Sequence, residues 1–125
     1  MKFGRLGPFR PEMVPQWFHI YRYGTETTDR GRERQSERIL IAKVLCILAT
    51  AKPEEQERYR QLSKTVTHNI IQRGAPIATE NDGFVLMKNG KEGRSFRVTA
   101  VHNKGGLDID TVYYCEERSD LGEAV

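Results

Sequence analysis

Short runs of alternating apolar and polar residues, separated by turn residues, follow one another along most of the chain. Residues 16–23, QWFHIYRY, combine aromatic and β-branched residues with apolar side chains on both faces, which is typical of a strand. Residues 84–88 and 95–103 indicate a hairpin around Asn89-Gly90 or the slightly longer turn NGKEG, in which Phe96, Val98 and Ala100 are expected to face the core. Residues 107–117, LDIDTVYYCEE, alternate as a last strand.

The middle of the chain contains one apolar run and one charged segment with a helix signature. Residues 39–51, ILIAKVLCILATA, fit either a strand or a buried helix by periodicity alone, although Ile, Val and Thr favour a strand. Pro53 is followed by glutamates and then by arginines, the charge order that the helix dipole favours, so we predict a short helix at about 53–62. Beyond it, Val66, His68 and Ile70 share one face of an extended segment.

Residues 24–38 contain no apolar side chain and two glycines, which predicts a long polar loop. The whole pattern therefore predicts a mainly β fold, a small antiparallel β-barrel or sandwich of about six strands with one short inserted helix. We expect a single domain over residues 1–118, including an N-terminal extension, and a flexible tail over residues 119–125.

Composition restricts the possible classes of protein. The 125 residues suffice for about one domain, and no apolar run is long enough for a membrane-spanning helix or a signal peptide. Cys46 and Cys115 lie inside apolar runs, so we expect reduced, buried thiols. The net charge of +3 comes entirely from the first forty residues, where acids interleave with the arginines and weaken the local field.

Catalytic chemistry has no support at the level of single residues. The three histidines lack metal-ligand spacing, no cysteine lies beside a base, and no glycine-rich phosphate loop is present. We therefore predict a protein that is not an enzyme and has no catalytic residue, metal or cofactor. A small β-barrel that binds nucleic acid is the alternative function, since the aromatic residues of segment 16–23 flank Arg22 and are able to stack on bases.

The order of the segments carries more information than any single motif. A strand that ends in a polar corner is followed by a charged segment, then by VTHNIIQRG, by the hairpin GFVLMKNGKEGRSFRVTAV, and by TVYYCEER at the end. Together these segments resemble the head-tail joining (head-closure, or stopper) proteins of long-tailed bacteriophages. The matching positions are Val66, Thr67, His68, Phe96, Val98, Tyr114, Cys115 and Glu116. The resemblance covers residues 40–118, and upstream it is limited to an early strand and a long loop.

The resemblance implies a structural virion protein of a phage or prophage, located in the head-tail connector and in the host cytoplasm during assembly. Such proteins form rings, usually of twelve copies, that contact the portal or adaptor ring and a tail or tail-terminator protein. The chain itself is thus one expected partner, and genomic DNA in the channel is another, bound without sequence specificity. The resemblance also implies that residues 39–51 form a strand.

Residue roles follow from the resemblance and from the symmetry of a ring. The long loop matches one that projects into the channel and holds back DNA in some family members, and its candidate channel residues are Thr25, Glu26, Asp29, Arg30, Gly31, Arg32 and Arg34. The exposed helix offers Arg58, Tyr59 and Arg60 as candidate contacts with a neighbouring subunit. For the signature residues Thr67 and His68, we expect one side chain to be buried and hydrogen-bonded while the other faces the helix.

Overall fold

The computed structural model describes residues 14–27 and 33–118, with side chains described over 14–24 and 38–118. These described residues contain six strands and one helix, with a 3₁₀ turn at Lys104–Gly106. In chain order they are β1 (Pro15–Thr27), β2 (Glu33–Thr50), α1 (Pro53–Gln61), β3 (His68–Arg73), β4 (Gly83–Lys88), β5 (Lys91–Asn103) and β6 (Asp110–Glu117).

The six strands form one antiparallel sheet that closes on itself in the order β1-β2-β3-β6-β5-β4. Closure comes from pairing between β1 and β4, where Phe18 lies opposite Leu86. Asn89 and Gly90 at the β4–β5 turn both have positive φ, 53° and 76°, as an Asn-Gly hairpin turn requires. The mainly β fold with one short helix is confirmed, and so is the strand over the ambiguous apolar run.

The inner face of the closed sheet is filled by aromatic and aliphatic side chains. Phe84 packs edge-on against Phe18 at 5.9 Å between ring centroids and lies 4.9 Å from Tyr113. Both thiols are buried in this interior and form no disulfide, as expected for Cys46 and Cys115. The described strands thus enclose a central core.

Helix α1 covers part of the outer face of the sheet, on β3 and β6. Pro53 occupies the first helical turn, and the Glu55 carboxylate accepts a hydrogen bond from the Lys52 backbone N–H at 3.1 Å, which closes the N-terminus. The same carboxylate accepts a bond from the Asn69 amide at 2.9 Å and ties the helix to β3. Tyr59 packs on Tyr114 with 5.1 Å between centroids. The helix therefore packs against the sheet of the same chain.

The predicted polar loop over residues 24–38 is wrong for most of its length. β1 continues to Thr27 and β2 begins at Glu33, so the described parts of this segment are paired strands. A two-stranded ribbon that projects from a core has neither face covered by that core. Its sequence therefore lacks the apolar–polar alternation that identifies a strand. The connection at residues 28–32, the extension at 1–13 and the tail at 119–125 lie outside the described residues.

Two further differences concern β5 and β6. The pairing of these strands shifts register between Val98 and Ala100, so Ala100 leaves the inner face and packs beside Tyr114 under α1. β6 begins at Asp110, which places Leu107 and Ile109 in the preceding turn with exposed side chains. The apolar–polar alternation of residues 107–117 therefore extends beyond the strand itself.

Candidate functional site

The most distinctive feature of the fold is a two-stranded extension, the arm, made of residues 22–27 of β1 and 33–39 of β2. β1 pairs with β4 only as far as Tyr21, and β2 pairs with β3 only from Cys46 onward. Beyond Tyr21 the two strands have only each other as described partners, and their pairing reaches Thr27 opposite Glu33. Six strand residues at about 3.3 Å each give an arm of roughly 20 Å.

A network of charged side chains fixes the base of the arm. Arg22 donates two hydrogen bonds to Asp82, at 3.1 and 2.9 Å, and the side chain of Asp82 is only 4% exposed. Asp82 also accepts the backbone N–H of Thr79 at 2.9 Å. This contact joins the arm to the loop before β4, so the direction in which the arm leaves the sheet is set by a bidentate pair.

A second contact holds the other strand of the arm. The guanidinium of Arg38 lies 4.2 Å from the centre of the Tyr21 ring and forms an ion pair of 2.6 Å with Glu92. The Tyr21 hydroxyl donates to the same carboxylate at 3.2 Å. Burial raises the pKa of Tyr21, and the neutral phenol remains a donor across the ordinary pH range. The arm is therefore anchored through both of its strands.

The structure divides the predicted channel residues into two groups. Thr25, Glu26 and Arg34 lie on the paired strands of the arm, where Glu26 is directly opposite Arg34. Asp29, Arg30, Gly31 and Arg32 lie outside the described residues. The described members are thus brought together at the far end of the arm, away from the core.

An exposed apolar surface runs along the outer face of the β1–β2 pair. Trp17 lies directly opposite Leu45, and their side chains are 56% and 48% exposed. Leu40 is also exposed and lies opposite Tyr21. Between them His19 pairs with Lys43, and the Glu92 carboxylate lies at the Tyr21 end of this row. We call Trp17, Leu40 and Leu45 the apolar strip. The sequence does not reveal this strip, because segment 16–23 has apolar side chains on both faces.

The helix residues predicted at a subunit interface have mixed surroundings. Tyr59 packs on its own sheet, whereas Arg58 and Arg60 are exposed. Arg60 forms an ion pair of 2.6 Å with Glu57 of the same helix, and Arg58 lies 5.2 Å from the Tyr59 ring centre. A groove opens between the helix and β5, lined by Arg58, Tyr59, Val101, His102 and Tyr114. We call it the aromatic groove.

The signature residues Val66, Thr67 and His68 link β3 to β5 and β6. Arg94 has only donors, so its contact of 3.0 Å with Nε2 of His68 makes that nitrogen the acceptor. Nδ1 therefore carries the proton and donates to the Thr67 hydroxyl oxygen at 2.9 Å. That oxygen also accepts the backbone N–H of Glu117 at 2.8 Å.

This arrangement differs from the expected contact with the helix. Thr67 and His68 are both half-buried, and His68 lies edge-on to Phe96 at 5.2 Å between centroids. The strand residue that bonds to α1 is Asn69, one position further on. Side chains alternate along a strand, so the neighbour of His68 points to the helix side of the sheet. Val66 is buried beneath the helix with Tyr114.

His68→Ala is expected to lower the free energy of unfolding by about 1 kcal/mol at pH 7.5, because the link between Arg94 and Thr67 is lost. Burial and the Arg94 cation lower the pKa of His68, against the opposing effect of Glu117. The neutral ring thus stabilises the fold above the ordinary pKa of about 6.5, and this contribution disappears as the pH falls through the lowered value.

Urea unfolding of wild type, His68→Ala, His68→Gln and His102→Gln at pH 7.5 and 5.0 measures both effects. The His68 variants should lose less stability than wild type on acidification, while His102→Gln, on an exposed position of β5, should follow wild type. An unfolding midpoint of His68→Ala equal to that of wild type at pH 7.5 would contradict a structural role.

Three observations on the described residues concern metal binding, thiol acidity and helix length. No group of three or more His, Cys, Asp or Glu side chains within residues 14–27 and 33–118 is placed to hold a metal ion. Burial raises the pKa of Cys46 to about 12 and also raises that of Cys115, so neither thiol ionises near neutral pH. In the same part of the chain, no helix has the length and apolar character needed to cross a bilayer.

Comparison with known proteins adds information on the fold alone. No protein-family model matches the chain, and no curated protein matches it. Among solved structures, the fold is similar to the solution structure of protein SF1141 from Shigella flexneri 2a, a structural genomics target, with a TM-score of 0.63. The sequences are 9% identical, and the match covers 90% of this chain and 99% of the other. The chain therefore shares its overall architecture with SF1141.

Proposed function

We propose that this protein is a ring-forming structural component of a phage head-tail connector. In this role it joins the portal or adaptor of the DNA-filled capsid to a tail protein. The observation that carries the proposal is the arm, a two-stranded ribbon about 20 Å long that is anchored to a small closed sheet. A rigid domain with one projecting ribbon suits a ring whose copies place their arms around a common axis.

The charges of the arm segment also suit contact with DNA that must pass through the channel of the ring. Residues 24–38 contain four arginines and four acidic residues, so the segment is close to neutral. A strongly basic arm would bind phosphates and slow the passage of DNA, since each neutralised phosphate adds to affinity. A balanced arm narrows the channel sterically and adds little electrostatic retention. Genomic DNA is in this proposal a contact without sequence specificity.

Shortening the arm tests the proposal directly. The pairing of Thr25 with Gln35 allows residues 26–34 to be replaced by Asn-Gly, a two-residue hairpin turn that suits twisted strands. We expect heads assembled with this variant to lose their DNA, as measured by negative-stain microscopy and by nuclease-sensitive DNA in the supernatant. The core lies elsewhere, so thermal unfolding should change by no more than a few degrees.

A matched control keeps the arm and changes its charges. Arg34→Gln together with Glu26→Gln preserves length and net charge, so DNA retention should stay at the wild-type level. Heads that remain filled and joined to tails with the shortened arm would contradict the channel role. Heads that fill and join normally without any of this protein would contradict the connector role altogether. A salt-dependent DNA-binding titration of the purified protein would then test the nucleic-acid alternative.

A further inference from the structure

The apolar strip and the aromatic groove lie on opposite sides of the closed sheet. The strand order β1-β2-β3-β6-β5-β4 places the β1–β2 pair diametrically across the ring of strands from the β6–β5 pair. The strip lies on the outer face of the first pair, and the groove lies between α1 and the second pair. One exposed apolar surface and one recessed surface thus face away from each other on a single subunit.

We propose that the apolar strip of one subunit docks in the aromatic groove of a second copy, and that repetition of this head-to-tail contact builds the ring. The inference rests on the proposed function, which requires many copies around one axis. A heterologous contact between two different faces is what generates a ring when its rotation closes. Surfaces on opposite sides of the subunit give the small rotation per copy that a ring of many subunits needs.

The side chains of the two surfaces are chemically matched. Trp17 is the most suitable anchor, because exposed Trp residues surrounded by aliphatic ones dominate many interfaces. In the groove the Arg58 guanidinium already lies over Tyr59, and an indole placed on its other side would make a second cation–π contact. Tyr114 and Val101 supply apolar walls.

The charges beside the two surfaces are complementary as well. Lys43 stands in the exposed row of the strip, next to Leu45 and opposite His19. Glu54 is exposed on α1 one turn before Arg58, and residues four apart lie on the same face of a helix. Docking the strip would therefore bring the Lys43 ammonium group towards the Glu54 carboxylate at the rim of the groove. Such rim pairs set orientation more than affinity.

The size of the strip predicts weak association in solution. Stable interfaces bury about 800 Å² on each partner, whereas the strip contributes only three apolar side chains. The contact should therefore form at high protein concentration or on a preassembled ring of another protein, and a dilute sample should be monomeric. When the ring closes, the weak contacts of all copies act together and stabilise the assembly.

Disulfide trapping between single-cysteine surfaces tests the contact and its polarity. Leu45→Cys marks the strip and His102→Cys marks the groove, and the native thiols are buried and so remain unreactive. We expect a mixture of the two single variants to give a crosslinked dimer under mild oxidation at high concentration. Each variant alone should stay monomeric, and the double variant should give a ladder of larger species.

Two controls separate this contact from random collision. Leu107→Cys is exposed and lies outside both surfaces, so it should crosslink with neither partner. Adding Trp17→Ala to the Leu45→Cys chain should weaken association about tenfold, as the loss of a central anchor does. Crosslinking of Leu45→Cys with itself would show a two-fold contact and overturn the head-to-tail arrangement. An absence of crosslinks in the mixture would overturn the proposal.

Failure of this inference and failure of the proposed function give different results. If crosslinks do not form but heads without the protein leak DNA, the connector function stands and the subunit contact lies elsewhere. If the ladder forms but heads fill and join tails normally without the protein, the contact is correct and the connector function is wrong.

Discussion

Tyr113→Phe is expected to lower the free energy of unfolding by about 3 kcal/mol, although it removes a single oxygen atom. The Tyr113 hydroxyl donates to the Gln72 side chain at 2.5 Å and accepts the backbone N–H groups of Ile77 and Ala78 at 2.9 and 3.3 Å. Removing it leaves three polar groups without their partner, two of them in buried hydrogen bonds, and each such group costs about 1 kcal/mol or more.

Urea and thermal unfolding measure this loss, and the melting temperature should fall by roughly 10 °C for a domain of this size. Tyr59→Phe is the matched control, since the Tyr59 ring packs on Tyr114 at the surface of the same fold. It should change stability by only a few tenths of a kcal/mol. A Tyr113→Phe variant as stable as this control would show that Ile77, Ala78 and Gln72 find other partners.

Raising the pH from 7.5 to 10 is expected to lower the free energy of unfolding by about 4 kcal/mol in a reducing buffer. Burial raises the pKa of Cys46 to about 12 and raises that of Cys115 further, with Cys46 adding to the effect. The unfolded thiols ionise near pH 8.5, so the unfolded state gains charge that the folded state cannot accept. The stabilising contribution is complete below that pH and is lost as the pH rises towards the folded values.

The slope of the unfolding free energy against pH identifies the two thiols as the cause of the alkaline loss of stability. Each buried thiol contributes up to about 1.4 kcal/mol per pH unit above pH 8.5. Cys46→Ala and Cys115→Ala should each remove about half of the slope, whatever their cost at pH 7.5, and the double variant should remove most of it. Burial also raises the pKa of Tyr113 and Tyr114, which steepens the loss above pH 10 in all variants. An unchanged slope in the double variant would contradict this account.

Local chemistry made the β4–β5 hairpin and the helix predictable from the sequence. Asn89-Gly90 specifies a hairpin turn within two residues, and Pro53 with the following glutamates specifies a helix start within one turn. Such signals depend only on near neighbours in the chain. The predicted helix at 53–62 accordingly differs from α1 by a single residue.

The features that the sequence did not reveal depend on distant residues. The Tyr113–Gln72 bond joins positions 41 apart, and the Arg22–Asp82 pair joins positions 60 apart. The exposure of Trp17 depends on which face of β1 the closed sheet encloses, since apolar residues occur on both. A residue type indicates a preference for burial, but the topology decides which of two apolar faces is covered.

Each strand of the arm has a single described neighbouring strand, and this pairing determines how easily the arm opens. Amide groups of β3 and β6 lie inside the closed sheet and exchange with solvent only through large openings, whereas those of residues 22–27 and 33–39 depend on a single ribbon. Isolated two-stranded ribbons are marginally stable in water. The arm is therefore able to fray and re-form on its own, with no cost to the packed interior. Local unfolding gives the protein a segment that adapts its shape to a contacting molecule while the fold stays intact.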